Sequence, residues 1–122
     1  MKGAAVLALM IAACVAPDDL AKEAIRLTGG DPVEGRRLAE QKGCPACHVI
    51  DGIPGARGAV GPSLNGMRER PLVAGILPHD VAAIVSFLQD PHAADSATMM
   101  PDLGLLEIEA RHITSFLYTL PP

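Results

Sequence analysis

Cys44-Pro45-Ala46-Cys47-His48 is the stretch on which the reading of this chain turns. Two cysteines three positions apart, followed at once by histidine, form the attachment signature of a c-type haem. The chemistry explains the spacing. Two thiols add to the two vinyl groups of one porphyrin, and the next residue then lies under the ring, where its imidazole reaches the iron. Two rival uses of the pair fit less well. A thioredoxin-like redox pair needs a βαβ context, and no strand-rich segment precedes Cys44. A structural zinc site needs two further ligands, and His79, His92 and His112 supply no second close pair.

Outward from that motif, 122 residues make one domain behind a short precursor segment. The chain has no Trp, and its aromatic residues are Phe87, Phe116 and Tyr118. A domain of this size ordinarily fills its centre with aromatic bulk, so a porphyrin would supply the missing flat apolar mass. The formal charge of −4 weighs against a nucleic-acid partner. Removing residues 1–13 would take away Lys2 and leave −5, from 9 basic and 14 acidic side chains. Arg57, Arg68 and Arg70 cluster in sequence and would make one face locally basic if they share it.

At the front, Lys2 precedes an apolar run from Gly3 to Ile11, too short to span a bilayer and laid out like an export signal. It ends in Ile11-Ala12-Ala13-Cys14, which resembles the lipobox cut by bacterial lipoprotein signal peptidase. On that reading residues 1–13 are a signal peptide and Cys14 is lipidated, which accounts for the odd third cysteine. The rival is ordinary cleavage after Ala16, which would leave Pro17 directly behind the cut. Residues 14–30 then read as a tether, or as a short helix resting on the domain surface. Leu20, Ala24 and Leu27 share one face of that helix, and Asp19 is its candidate cap.

The domain proper spans 31–120. Asp31-Pro32 predicts a helix start, with the helix running to about Gln41 and stopped by Gly43. Gly35 inside it costs roughly 1 kcal/mol against alanine, which makes sense if another helix crosses there. Val49 to Gly61 is rich in Gly and Pro and reads as loop. A second helix is predicted over Val81–Gln89, capped by Asp80 and stopped by Pro91, with Ile84, Phe87 and Leu88 as its apolar stripe. A last helix is predicted from Leu106 or Glu107 to Tyr118, from the spacing of Ala110, Ile113 and Leu117.

Gly61-Pro62-Ser63-Leu64-Asn65-Gly66 and Met99-Met100-Pro101, taken with the cysteine motif, give the chain a specific likeness: over residues 31–120 it resembles a class I cytochrome c. The resemblance implies an all-α fold of three main helices wrapped around one covalently bound haem c. It also implies that the Pro62 carbonyl accepts a hydrogen bond from His48, and that Met100 is the distal iron ligand opposite it. Met99 and His92 are the competitors for that place. Arg70 is the candidate for a haem propionate, against the alternative of a solvated surface arginine. Gly35 gains its crossing partner in the last helix, with Ile113 and Phe116 as the expected contacts.

With both axial positions filled by protein, the expectation is electron transfer and not enzymatic turnover. The resemblance implies a monomeric periplasmic carrier held by lipid at a bacterial membrane. Its redox protein partners would be a quinol-oxidising complex or dehydrogenase on one side and a terminal oxidase on the other. A fixed subunit of a larger redox complex, or a haem enzyme or gas sensor with a displaceable methionine, are the alternatives.

Overall fold

The computed structural model describes Gly3 and residues 14–122. The signal-peptide assignment to 1–13 therefore lies, Gly3 apart, outside the described residues. Five helices carry the fold: α1 (Pro17–Thr28), α2 (Pro32–Gln41), α3 (Val81–Gln89), the short α4 (Pro91–Ala94) and α5 (Glu107–Tyr118). The all-α expectation holds, with one small addition. Leu72–Val73 (β1) and Leu77–Pro78 (β2) pair antiparallel in a two-stranded hairpin.

Local chemistry sets most helix ends. The Asp31 carboxylate accepts from the Val33 amide at 2.8 Å, and Pro32 occupies the first turn, where no amide is needed. Gly43 turns the chain out of α2 at φ 83°, a left-handed conformation that glycine adopts without strain. Asp80 caps α3 through the Ala83 amide at 2.7 Å. Pro91 does more than stop α3. With Asp90 accepting from the Ala93 amide at 3.1 Å, it opens α4.

The core forms where α2 crosses α5. A Cβ on Gly35 would overlap the His112 carbonyl and crowd Phe116, so only glycine lets the two backbones approach this closely. Phe116 is thus one of the two expected contacts. The nearest group of all is the His112 backbone, while Ile113, the other expected contact, is buried and lines the central cleft. His112 adds a tie of its own, its Nδ1 accepting from the Asp31 amide at 2.7 Å. From α3, Ile84, Val85 and Leu88 complete the buried layer, with Phe87 half-buried beside them.

Of the two readings of residues 14–30, a tether or a short helix resting on the domain, the structure has the helix. Residues 17–28 are one continuous helix lying on α5. Pro17 starts it with Ala16 at the cap position, and Asp19 sits inside the first turn. The buried face runs through Ala24 and Thr28, whereas Leu27 is exposed. The helix is held because its small residues fit α5, not because it carries a broad apolar stripe. The hairpin escaped the sequence reading for a related reason: two-residue strands show no alternation to detect. Its turn places Ala74 (φ 52°) and Gly75 (φ 73°) in the left-handed region, as tight hairpins require.

Candidate functional site

The Cys44–His48 motif folds as a single 3₁₀ turn, Cys44–Ala46, that follows α2 directly. The His48 amide bonds back to the Cys44 carbonyl at 3.0 Å, so both thiols and the imidazole are presented from one compact loop. All three side chains line a cleft of about 680 Å³, within the usual range for cofactor pockets. Its walls are mainly apolar: Leu64, Met67 and Val73 from the loops, Ile84, Phe87 and Leu88 from α3, Ile113 and Leu117 from α5. Burial pushes the Cys44 thiol above its ordinary range, keeping it protonated in the folded chain. Cys44 and Cys47 are both free.

His48 donates from Nδ1 to the Pro62 carbonyl at 2.6 Å. This fixes the ring and its tautomer, and leaves Nε2 as the nitrogen available to a metal. The loop carrying Pro62 is pinned on every side. The Gly61 amide donates to the Cys47 carbonyl at 2.9 Å, Leu64 to Val49 at 2.9 Å and Gly66 to Pro121 at 2.7 Å. The Asn65 side chain accepts from the Asp51 amide at 2.8 Å. A Cβ on Gly61 would strike the His48 ring, so glycine is required for the close approach.

Arg70 also lines the cleft, yet its guanidinium donates to the carbonyls of Ser63 and Asn65, the latter at 2.9 Å. In this structure it braces the Pro62 loop. Arg68 reaches Glu23 of α1 at 3.9 Å, and Arg57 is exposed. The three arginines therefore do not share one free basic face. The sequence could not show this, because the partners of Arg68 and Arg70 are a helix outside the domain proper and backbone carbonyls.

Met100 lines the same cleft as His48, half-buried and packed against the core, with Thr98 and Leu103 beside it in the lining. Met99 reaches the cleft mouth but is 81% exposed, and an extended backbone sends the two side chains to opposite sides. His92 is exposed on α4 and lines no part of the cleft. Cys14 is exposed and remote from the motif in sequence. Among the described residues, no three His, Cys, Asp or Glu side chains converge on a point that would hold a metal ion. The donor set of the cleft is instead one imidazole, His48, and the thioethers of Met67, Met99 and Met100, with two thiols beside them: a set that fits a haem better than a bare ion.

One pairing went unnoticed in the sequence. His79 Nε2 and the Tyr118 hydroxyl are hydrogen-bonded at 2.8 Å, and their rings stack at 5.8 Å. The bond ties the start of α3 to the end of α5. Burial raises the Tyr118 phenol above its ordinary range.

A helical shell closed around one apolar cleft, with two thiols and an imidazole on its rim, defines a class of haem-holding electron-transfer domains. The family model for cytochrome c matches residues 32–121, most of the chain, and the protein belongs to the cytochrome c family. No curated protein and no solved structure matches it significantly. Among the described residues, no helix is long and apolar enough to cross a membrane.

Proposed function

We propose that this is a class I cytochrome c: a monomeric, single-haem electron carrier with thioether bonds to Cys44 and Cys47, ligated by His48 and Met100. The observation that carries the reading is the pairing of a locked His48, its Nδ1 held by Pro62, with a half-buried Met100 on the same apolar cleft. Haem, when bound, supplies a one-electron ferrous–ferric couple. The chain's contribution is to hold that couple still and dry. Pro62 orients the imidazole and strengthens Nε2 as a donor. Ile84, Leu88, Ile113 and Leu117 keep water from the inner cleft, which disfavours the more charged ferric form and raises the potential.

The role in the cell is export and lipidation at Cys14, placing the domain on the periplasmic side of a bacterial membrane. There it passes electrons from a quinol-oxidising complex or dehydrogenase to a terminal oxidase. The lipobox-like Ile11-Ala12-Ala13-Cys14 behind Lys2 and an apolar run supports the first part, and the family supports electron transfer. With both axial positions filled, no enzymatic turnover is assigned.

A pyridine haemochrome spectrum of membrane-fraction protein, expressed with the haem c maturation system, tests the cofactor, its covalent link and its compartment together. A colourless product defeats the reading. Globomycin sensitivity, or palmitate incorporation lost in Cys14→Ala, tests the lipid separately.

A further inference from the structure

α1 precedes the cytochrome c domain, yet it is built into it. Ala24 and Thr28 are buried against α5, and a Cβ on Gly30 would overlap the Arg111 backbone. The Arg111 guanidinium caps the end of α1 through the Thr28 carbonyl at 3.0 Å, while Glu23 faces Arg68 at 3.9 Å. The Thr28 hydroxyl accepts from the Gly30 amide at 3.1 Å, tightening the corner into α2. Helix, corner and domain make one packed body.

The consequence concerns reach. Between Cys14 and Pro17 stand only Val15 and Ala16, which span about 10 Å when fully extended. Were residues 14–30 a free coil, their mean reach would be about 23 Å and their limit about 60 Å. Docking of α1 removes most of that freedom. The surface nearest Cys14 carries exposed apolar side chains among charged ones, Asp18, Asp19 and Arg36. Val15 is 68% and Val33 78% exposed, and Val33 shares a shallow groove with Pro17 and Ala21 at the starts of α1 and α2.

Given the lipid on Cys14 proposed above, we infer that α1 is a rigid mount that keeps this end of the domain close to the bilayer and limits the height of the cleft above it. A domain of this length is about 35 Å across, so the cleft lies within about 45 Å of the membrane surface. The partner that fits is an integral membrane redox protein whose electron-exchanging group sits near the bilayer face. A carrier so mounted slides laterally and does not swing.

The test uses the lipidated, haem-loaded full chain in phosphatidylethanolamine–phosphatidylglycerol vesicles carrying a headgroup fluorophore, which haem quenches in a distance-dependent way. Inserting 20 Gly/Ser residues between Ala16 and Pro17 is expected to cut the quenching at least twofold. Ala24→Glu, which forces α1 off α5, is expected to act in the same direction with the haem absorption unchanged. Quenching equal to wild type in the insertion variant overturns the mount. Hydrogen exchange on the haem-loaded Cys14→Ala protein reads the docking without the lipid. Protection of α1 amides within about tenfold of α2 supports the mount, and exchange at the rate of an unstructured peptide overturns it. If the wild-type chain neither takes up palmitate nor sediments with vesicles, the lipid reading has failed and the mount with it, while α1 protection stays intact.

Discussion

The two walls of the cleft are built on different principles. On the His48 side, the 61–66 loop is held by hydrogen bonds from distant parts of the chain: Cys47, Val49, Asp51, Arg70 and Pro121. On the Met100 side, the bonds of residues 97–104 are local, each spanning at most three residues. Met100 itself donates to the Thr98 hydroxyl at 3.2 Å, and Gly104 to the Asp102 carboxylate at 2.8 Å. Leu103 and Leu105 anchor that loop by packing alone. The difference teaches which of the two proposed ligands would be the permanent one. A cross-braced wall, joined to the haem if the proposed thioether bonds form, would keep its geometry through oxidation and reduction. A wall held by local turns and apolar contact is the one to open first, because its loss breaks few distant bonds.

The largest effect should come from the strong wall. Replacing both Cys44 and Cys47 by serine is expected to abolish haem staining after denaturing electrophoresis, and a stain that survives would place the attachment elsewhere. Met100→Ala comes next. It should keep the covalent haem, lose the weak near-infrared sulfur-to-iron band of the ferric form, and admit carbon monoxide to the ferrous form. Met99→Ala should do neither. If Met99→Ala removes the band and Met100→Ala does not, the distal ligand is Met99. Rapid carbon monoxide binding by the wild-type protein at neutral pH would favour a sensor with a displaceable methionine over a pure carrier.

Within the His48 wall, Gly61→Ala should destabilise the haem-loaded protein by roughly 2–3 kcal/mol in chemical denaturation, because the new methyl group meets the imidazole. Arg70→Gln should cost about 1.5–3 kcal/mol and raise amide exchange across 61–66, with Arg70→Lys recovering part of the loss. Thr98→Val on the opposite wall should cost about 1 kcal/mol at most, with no change at 61–66. Stability losses that matched on the two sides would erase the contrast.

The smallest effect is alkaline. The folded chain holds the Tyr118 phenol proton more tightly than the unfolded chain does, because the hydroxyl is buried. Its contribution is therefore whole below the ordinary value of about 10 and declines as pH rises through that value towards the folded one. A thermal-denaturation series above pH 9 should show this decline in wild type, and Tyr118→Phe should flatten it.

Much of this architecture was legible because its causes are local. Asp31-Pro32, Asp80 and Gly43 act within three residues of themselves, whereas the Pro62 contact, 14 residues from His48, was expected only from the resemblance to class I cytochromes c. What the sequence left open was settled by partners far along the chain. Arg70 offers no sign that it will brace backbone carbonyls, and Asp19 looked like a cap until Pro17 claimed the first turn. Leu27 had the spacing of a buried residue, but the close fit on α5 selected Ala24 and Thr28 in its place.

By itself, then, the amino-acid order determined the main helices and the haem-attachment motif, and it named His48 and Met100 as the proposed pair of ligands, since these rest on short-range stereochemistry and on donor chemistry that only a few side chains possess. Only the tertiary structure decided that the leading helix is packed onto the domain, that Arg68 pairs with Glu23 of that helix and Arg70 with backbone carbonyls, and that one loop lining the cleft is braced and the other merely packed. Those outcomes depend on which surfaces meet when α1 and α2 close on α5. No neighbouring residue encodes that meeting.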